Sequence, residues 1–372
     1  MSNLVIYRKY RPKTFSEVIG QEHVIRTITN AIKENMVSHG YLFAGPHGTG
    51  KTTLARLLAK ALNCQQRKDG QFEPCNQCDS CLEINQGNAI DLIEIDAASN
   101  RGIDEIRELK EGIRFRPAKS KYKVFILDEA HQLSKDAANA LLKTLEEPPS
   151  HAVFILATTE SHKMIPTILS RCQTFDFRKL QMPEIIARLE TILKQEKISY
   201  EPEVVKLIAS QASGAMRDAE SLLDEVVSFT GQNGKIALKE VQILLGLSDR
   251  GAIFQFINFL KDKKAKEAIE FIDQSIHKAV DPKEFIRAVI QHLREFLLLK
   301  IDIQLQSPIV LSLTSEEKKQ FIDLAGGFTE QQIKAMLEKF MEAENKMRTA
   351  TILQLPLELA IVEICLGKWL SH

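Results

Sequence analysis

The sequence has no long apolar run, and nothing in it reaches the length of a membrane span. Met1–Tyr10 carries no apolar stretch of the kind a secretion signal needs, so a cytoplasmic protein with reduced thiols is expected. It also lacks an excess of charge of either sign. Lys and Arg together number 49, as do Asp and Glu, so a nucleic-acid contact would need a local positive surface. There is no internal repeat and no low-complexity tail. Only six of the 372 residues are cysteines, and in a reducing compartment these point to metal or core packing before disulfides. The remainder, 44% hydrophobic and 26% charged, is ordinary for globular domains, and the length allows two or three cores.

Against that background one stretch organises the chain. Gly45-Pro46-His47-Gly48-Thr49-Gly50-Lys51-Thr52 fits G-x4-G-K-[ST], with the apolar run Tyr41–Ala44 before it and the helical run Leu54–Leu62 after it. Strand, glycine turn and helix are the context in which backbone N–H groups converge on phosphate oxygens at a helix N-terminus. Lys51 is expected to reach the β- and γ-phosphates of a nucleotide, and the Thr52 hydroxyl to take one Mg²⁺ position. Thr53 continues the loop into the helix.

The second half of such a site is a buried strand ending in acids. Val124–Leu127 runs into Asp128-Glu129, about 80 residues after the loop. Asp128 is expected to hold Mg²⁺, and Glu129 to orient or deprotonate the attacking water. A further strand, Val153–Ala157, ends in Thr158-Thr159, either of which could hydrogen-bond the γ-phosphate or that water.

Between these halves lies a polar segment with four cysteines, Cys64, Cys75, Cys78 and Cys81, at C-x10-C-x2-C-x2-C. Four soft thiolates suit tetrahedral Zn²⁺ with no open catalytic position. An iron–sulfur cluster or free thiols are the competing readings, although the Cys-Pro that a bacterial cluster motif needs does not follow Cys81. Cys172 and Cys365 are isolated and read as core residues.

The remaining chain divides in two. Up to about residue 179, strand-like runs at 91–96, 124–127, 153–157 and 175–177 alternate with helical ones at 21–34, 54–62 and 137–145, which predicts a parallel α/β sheet with helices on both faces. A helix start is expected near Gly102–Asp104. Beyond residue 180 the pattern is all-α, with amphipathic stretches at 183–196, 202–212, 216–229 and 238–246. A linker at Gly246–Gly251 follows, then helices at 252–262, 264–277, 282–302, 315–325, 329–346 and 356–368. The arm YRKYRPKTFSEVIGQ clusters Arg8, Lys9, Arg11 and Lys13, and residues 107–123 hold seven basic side chains against Glu108 and Glu111. The arm reads as a solvated basic segment, and the second stretch as a solvated face or as a nucleic-acid backbone contact.

Together these residues resemble the AAA+ ATPases and, within them, the gamma/tau family of bacterial DNA polymerase III clamp loaders. The matching stretches are YRKYRPKTFSEVIGQEHV, HGYLFAGPHGTGKTTLARLLAKALNC, the C-x2-C-x2-C segment, DLIEIDAAS, DEAHQLS, ALLKTLEEPP, ATTE…ILSRC and GAMRDAESLLD. They cover most of residues 4–246; beyond that the likeness rests on helical character and length. The resemblance implies an AAA+ domain at 1–179 with a zinc module at 64–81, a helical lid at 180–246 and a helical oligomerisation collar at 247–372. It assigns Gly45–Thr52 to the phosphate loop, Thr159 before Thr158 to sensor 1, Arg171 to an arginine finger entering a neighbour's site, and Arg217 to sensor 2. Tyr7, Arg11, Val18 and Ile19 fall where the family packs adenine and ribose, and the four cysteines match its structural zinc.

The implied cofactors are ATP, Mg²⁺ and Zn²⁺. The implied partners are further gamma copies, the delta and delta-prime subunits, the sliding clamp and primed DNA, with Asn100, Arg101 and Arg107 as candidate DNA contacts. The family's tau form continues into long segments that bind helicase and polymerase. The chain ends at His372, which reads as gamma-length or as an excerpt of a longer protein. Another AAA+ motor, such as a branch-migration helicase, would unwind DNA alone. A silent scaffold subunit should have lost one of Lys51, Thr52, Asp128 or Glu129. No separate polymerase site is present.

Overall fold

Five short strands pair in parallel to make the sheet around which the first half of the chain is built. They are β1 (Gly40–Ala44), β2 (Leu92–Asp96), β3 (Lys123–Asp128), β4 (Ala152–Thr158) and β5 (Gln173–Asp176), in the order β2-β3-β4-β1-β5. This computed structural model describes residues 5–99, 112–113, 115–231, 235–245, 250–277, 281–301 and 315–367. Asn100, Arg101, Arg107 and the helix start at Gly102–Asp104 lie outside the described residues.

Strand composition explains strand position. The central strands β1 and β4 are buried along their whole length, as GYLFA and AVFILAT. Such uninterrupted apolar runs belong to parallel strands covered on both faces. The edge strands are partly exposed, β5 as QTFD with only Phe175 buried. Side chains alternate between the faces with the strand period of two. Tyr41, Phe43, Val124, Ile126, Val153 and Ile155 join one core, with α2 (Glu22–Lys33) and α3 (Lys51–Asn63) against it. Leu42, Phe125, Leu127, Phe154 and Leu156 join the opposite core, which α5 (Lys135–Glu146) and α6 (Pro166–Leu169) cover.

The basic arm is partly ordered as a single helical turn, α1 (Ile6–Lys9), whose Ile6 is buried. Among the described residues, one helix longer than a single turn escapes the sequence reading. Within and beyond the cysteine segment, α4 (Asp79–Gln86) starts at Cys78 as its N-cap residue and carries Cys81 in its first turn. The helical series continues with α7 (Met182–Glu196), α8 (Pro202–Gln211), α9 (Met216–Thr230) and α10 (Leu238–Leu244).

The chain divides into two compact units, Met1–Gln195 with Gln211–Asp224, and Glu196–Ser210 with Glu225–His372. The second contains α11 (Arg250–Lys261), α12 (Ala265–His277), α13 (Pro282–Ile301), α14 (Ser315–Gly326), α15 (Glu330–Lys346) and α16 (Leu355–Leu366). Helix α11 begins two residues before the expected 252, and residues 246–249 of the expected linker lie outside the described residues. Phe256, Phe285, Phe296, Phe321 and Phe340 anchor one core through these helices. A capping box on Thr329 and Gln332 sets the start of α15. Among the described residues no helix is long and apolar enough to cross a membrane.

Candidate functional site

The sheet order puts β1 between β4 and β5: the connection after β1 runs to β2 at one edge and the one after β4 passes β1 to β5 at the other, so a crevice opens at the C-terminal ends of these central strands. The segments that follow β1, β3 and β4 converge there. After β1 the chain turns through Gly45, whose φ is +148° and whose missing Cβ would meet the Phe177 carbonyl oxygen at 2.3 Å. Gly48, at φ +68°, is pressed against Ala215, 2.8 Å from where a Cβ would stand. No L side chain fits either place, which is the physical reason for glycine at both.

The loop delivers Lys51 to the first turn of α3, 6% exposed, with Nζ donating to the carbonyls of Gly45 at 2.6 Å and Pro46 at 2.7 Å. Burial pushes its ammonium below its ordinary pKa, against the pull of Glu129 and Asp128. One residue on, Thr52 Oγ1 donates to Asp128 Oδ2 at 2.7 Å. A hydroxyl and a carboxylate sharing one point at a phosphate loop are the donor set a hard divalent cation takes.

Glu129 follows Asp128 with φ +47°, a left-handed conformation uncommon for a side chain of this kind. That turn aims its carboxylate at three neighbours. Thr159 Oγ1 donates to Glu129 Oε2 at 2.9 Å, His131 Nδ1 lies 3.4 Å from the same oxygen, and His47 Nδ1 lies 3.5 Å from Oε1. Thr158, by contrast, is fully buried, 3.0 Å from His131 Nδ1, and accepts the Glu160 amide at 3.1 Å. The two threonines therefore make different contacts: Thr159 reaches the acid directly, and Thr158 the histidine beside it.

Tyr7, Arg11, Val18 and Ile19 line the cleft together with His47–Thr53, Asp128, Glu129 and Arg217. Gly45 and Pro46 act from behind it, through their carbonyls on Lys51. Arg217 opens α9, its Cζ 5.3 Å from the Tyr7 ring centroid. The preceding amide, Met216 N, donates to Gly48 O at 2.9 Å, so the loop and this helix are tied by backbone. Arg171 does not line the cleft. It follows α6, half-buried, with Nη2 2.5 Å from Glu146 Oε1 and Nη1 donating to Thr167 O at 2.8 Å.

Among the cleft residues that escaped the sequence reading, two form an ion pair. Glu220 is buried one helical turn after Arg217, and burial pushes its carboxyl up to about 7 against the pull of Arg188. Arg188 Nε is 3.4 Å from Glu220 Oε1, and its Nη2 donates to the Tyr10 carbonyl, so this pair braces the arm that carries Tyr7 and Arg11. The i, i+3 spacing from Arg217 was the available signal for Glu220; nothing local marks Arg188.

The four cysteines come together beside this unit. Cys64 closes α3, Cys75 lies in the loop, and Cys78 and Cys81 start α4, with all four sulfurs within 4.8 Å of one another. Cys75 and Cys81 stand 3.9 Å apart. Bonds of about 2.3 Å to a tetrahedral zinc put sulfurs about 3.8 Å apart, whereas a disulfide needs about 2.05 Å. Burial pushes the Cys75 thiol up, but the amides of Gln77 and Cys78 donate to its sulfur and bring it down to about 7. The set thus fits a four-coordinate thiolate metal.

Comparisons with known proteins agree along the chain. Family profiles match at residues 20–181 ("DNA polymerase III, delta subunit"), 184–232 ("DNA polymerase III clamp loader subunit, ATPase lid domain") and 236–370 ("DNA polymerase III subunits gamma and tau domain III"). The chain is 40% identical over 365 residues to DNA polymerase III subunit tau of Bacillus subtilis, covering 98% of this chain and 64% of that one. It is 41% identical over 281 residues to subunit tau of Escherichia coli, covering 76% and 43%. To subunit gamma of Buchnera aphidicola subsp. Schizaphis graminum it is 34% identical over 358 residues, covering 95% and 98%. The chain thus spans about two thirds or less of the tau proteins and nearly all of that gamma protein. With a parallel α/β domain, a four-cysteine cluster, a helical lid and a helical third domain in this order, the chain belongs to the gamma/tau family of DNA polymerase III clamp-loader subunits.

Proposed function

We propose that this chain is an ATP-hydrolysing clamp-loader subunit, which works in the cytoplasm with delta, delta-prime and further gamma copies to open the sliding clamp and load it on primed DNA. The observation that carries the reading is the meeting of Lys51, the Thr52–Asp128 pair at 2.7 Å and the Thr159–Glu129 pair at 2.9 Å at one end of the sheet. Residues 1–179 serve as the ATPase domain, 180–246 as the lid and 247–372 as the oligomerisation collar. The collar reading draws support from α16, where Leu355, Leu359, Val362 and Leu366 form an exposed stripe on a helix already apolar on its buried side.

In this mechanism Lys51 and the loop amides hold the phosphates, while Arg217 and Tyr7 enclose the nucleotide from the lid and arm. Thr52 and Asp128 would hold Mg²⁺, which when bound would offset charge on the phosphate oxygens. Glu129 orients the attacking water and accepts its proton, with Thr159 fixing which carboxylate oxygen does so. Arg171 serves the neighbouring subunit's phosphates, so hydrolysis reports assembly.

The test is the steady-state ATPase rate with partner subunits, clamp and primed DNA added stepwise. Stimulation that needs all of them supports the reading; a rate indifferent to the clamp, or DNA unwinding by this chain alone, overturns it.

The cysteines hold one structural Zn²⁺. Metal analysis should give about one zinc per chain, and Cys78→Ser should lose it together with the order of α4, because three thiolates leave a buried metal open to water. Iron in its place, or no metal in a folded chain, would refute this assignment.

A further inference from the structure

Beside the nucleotide cleft lies a second cavity, of about 470 Å³, which shares Arg11, Pro12 and Thr53 with it. Its walls are the N-terminal arm, one stripe of α3 and the end of α4. Thr53, Arg56, Leu57 and Lys60 follow the i, i+3, i+4, i+7 spacing that turns one face of a helix to one side. The arm adds Arg8, Arg11 and Lys13. Five cations and no carboxylate line the space.

The nearby acids are already engaged. Glu94 pairs with Arg56 itself, one of the five cations, 2.5 Å from its Nη2. Glu17 accepts the Lys13 backbone amide at 2.6 Å, and Glu73 those of Phe15 and Ser16 at 2.8 and 2.9 Å. Lys60 is buried and donates to three neutral oxygens, those of the Lys13 carbonyl, Asn76 and Asn85. With its donors taken, and Cys81, Glu17 and Glu73 drawing on its charge, it is set aside. Among the described residues Arg8, Arg11 and Lys13 have no carboxylate at ion-pair distance, and Arg56 Nε is buried without a hydrogen-bond partner. Burial and then the repulsion of Arg56 hold the Arg11 guanidinium below its ordinary pKa against the pull of Glu94, with Arg217 and Arg8 adding to the repulsion.

From this juxtaposition we infer that the cavity binds a run of phosphoryl groups, either those of a free polyphosphate or the consecutive phosphates of a single nucleic-acid strand. Guanidinium groups present forked donors that match phosphate oxygens, and Lys13 adds a point charge. A duplex does not enter a space this small, whereas one strand or a short polyphosphate does.

Inorganic tripolyphosphate and a short dT oligonucleotide should each be titrated calorimetrically into the full chain carrying Lys51→Ala, which removes the phosphate loop's own hold on phosphates. The same titrations follow with Lys13→Gln and Arg56→Gln added. At least one probe should bind the Lys51→Ala chain, and the two added substitutions should weaken it about tenfold or more, with a shallower salt dependence. Tripolyphosphate alone binding identifies a free anion; oligonucleotide binding that tripolyphosphate displaces identifies a strand. Lys13→Gln, on the exposed arm, should weaken binding by itself, which separates contact loss from any misfolding caused by freeing Glu94. Absence of binding by both probes, or binding indifferent to Lys13 and Arg56, overturns the inference. Failure of the wild-type chain to bind ATP would count against the ATPase reading and leave this one standing.

Discussion

Replacing Arg171 with alanine should lower the ATPase rate of the assembled complex by about 10³-fold or more, while the isolated chain still folds and binds ATP. Two magnitudes decide between the possible roles of this side chain. As a surface partner of Glu146, with side chains 31% and 49% exposed, it is worth at most about 1 kcal/mol of stability. As a finger on a neighbour's phosphates it is worth 10³–10⁵ in rate, roughly 4–7 kcal/mol. The geometry excludes service to its own cleft, since Arg171 lies after α6 and does not line it. Glu146 holds the guanidinium in a defined place at a surface, so Glu146→Ala should leave most of the rate intact. Arg171→Lys should rescue little, because one ammonium cannot reproduce the planar fork. A loss of tenfold or less in Arg171→Ala would refute the finger role.

The sequence made the sheet and the phosphate loop readable for the same reason: both depend on short contiguous patterns. Buried parallel strands are uninterrupted apolar runs, and a loop position where a Cβ would stand 2.3 Å from the Phe177 carbonyl oxygen can only be glycine. The cysteine quartet is also local, within eighteen residues. Glu220 and Arg188 were illegible because their meaning is tertiary: they lie 32 residues apart and matter only because Arg188 reaches the Tyr10 carbonyl across the fold. The choice between Thr158 and Thr159 could not be made from spacing either, since adjacent residues at a strand end point to opposite sides. It took the left-handed turn at Glu129 to bring that carboxylate to one hydroxyl and not the other. The basic arm carried a signal that composition could not divide. Tyr7 and Arg11 line the nucleotide cleft, while Arg8 and Lys13 face the neighbouring cavity.

Lys51→Ala should abolish ATP-driven clamp loading. The ammonium offsets the field of Asp128 and Glu129, and its own attraction to a phosphate oxygen, unit charges about 4 Å apart at an effective dielectric near 20, is about 4 kcal/mol, or roughly a thousandfold in affinity. Alanine removes that term and leaves two acids facing the negative phosphates. Its structural cost is smaller: the carbonyls of Gly45 and Pro46 lose one shared donor, on the order of 1–3 kcal/mol, and alanine suits the first turn of a helix. The variant should therefore stay folded while its ATP affinity collapses; clamp loading at the wild-type rate would sink the mechanism. Pairing it with Arg171→Ala tests the architecture. In a complex built from either variant alone, every interface between gamma copies lacks one half of its site. In a complex reconstituted from both, a loop from an Arg171→Ala copy can meet a finger from a Lys51→Ala copy, and that interface is whole. Mixing the two inactive proteins before assembly should restore a measurable fraction of the ATPase rate, whereas a finger acting within its own chain would restore none.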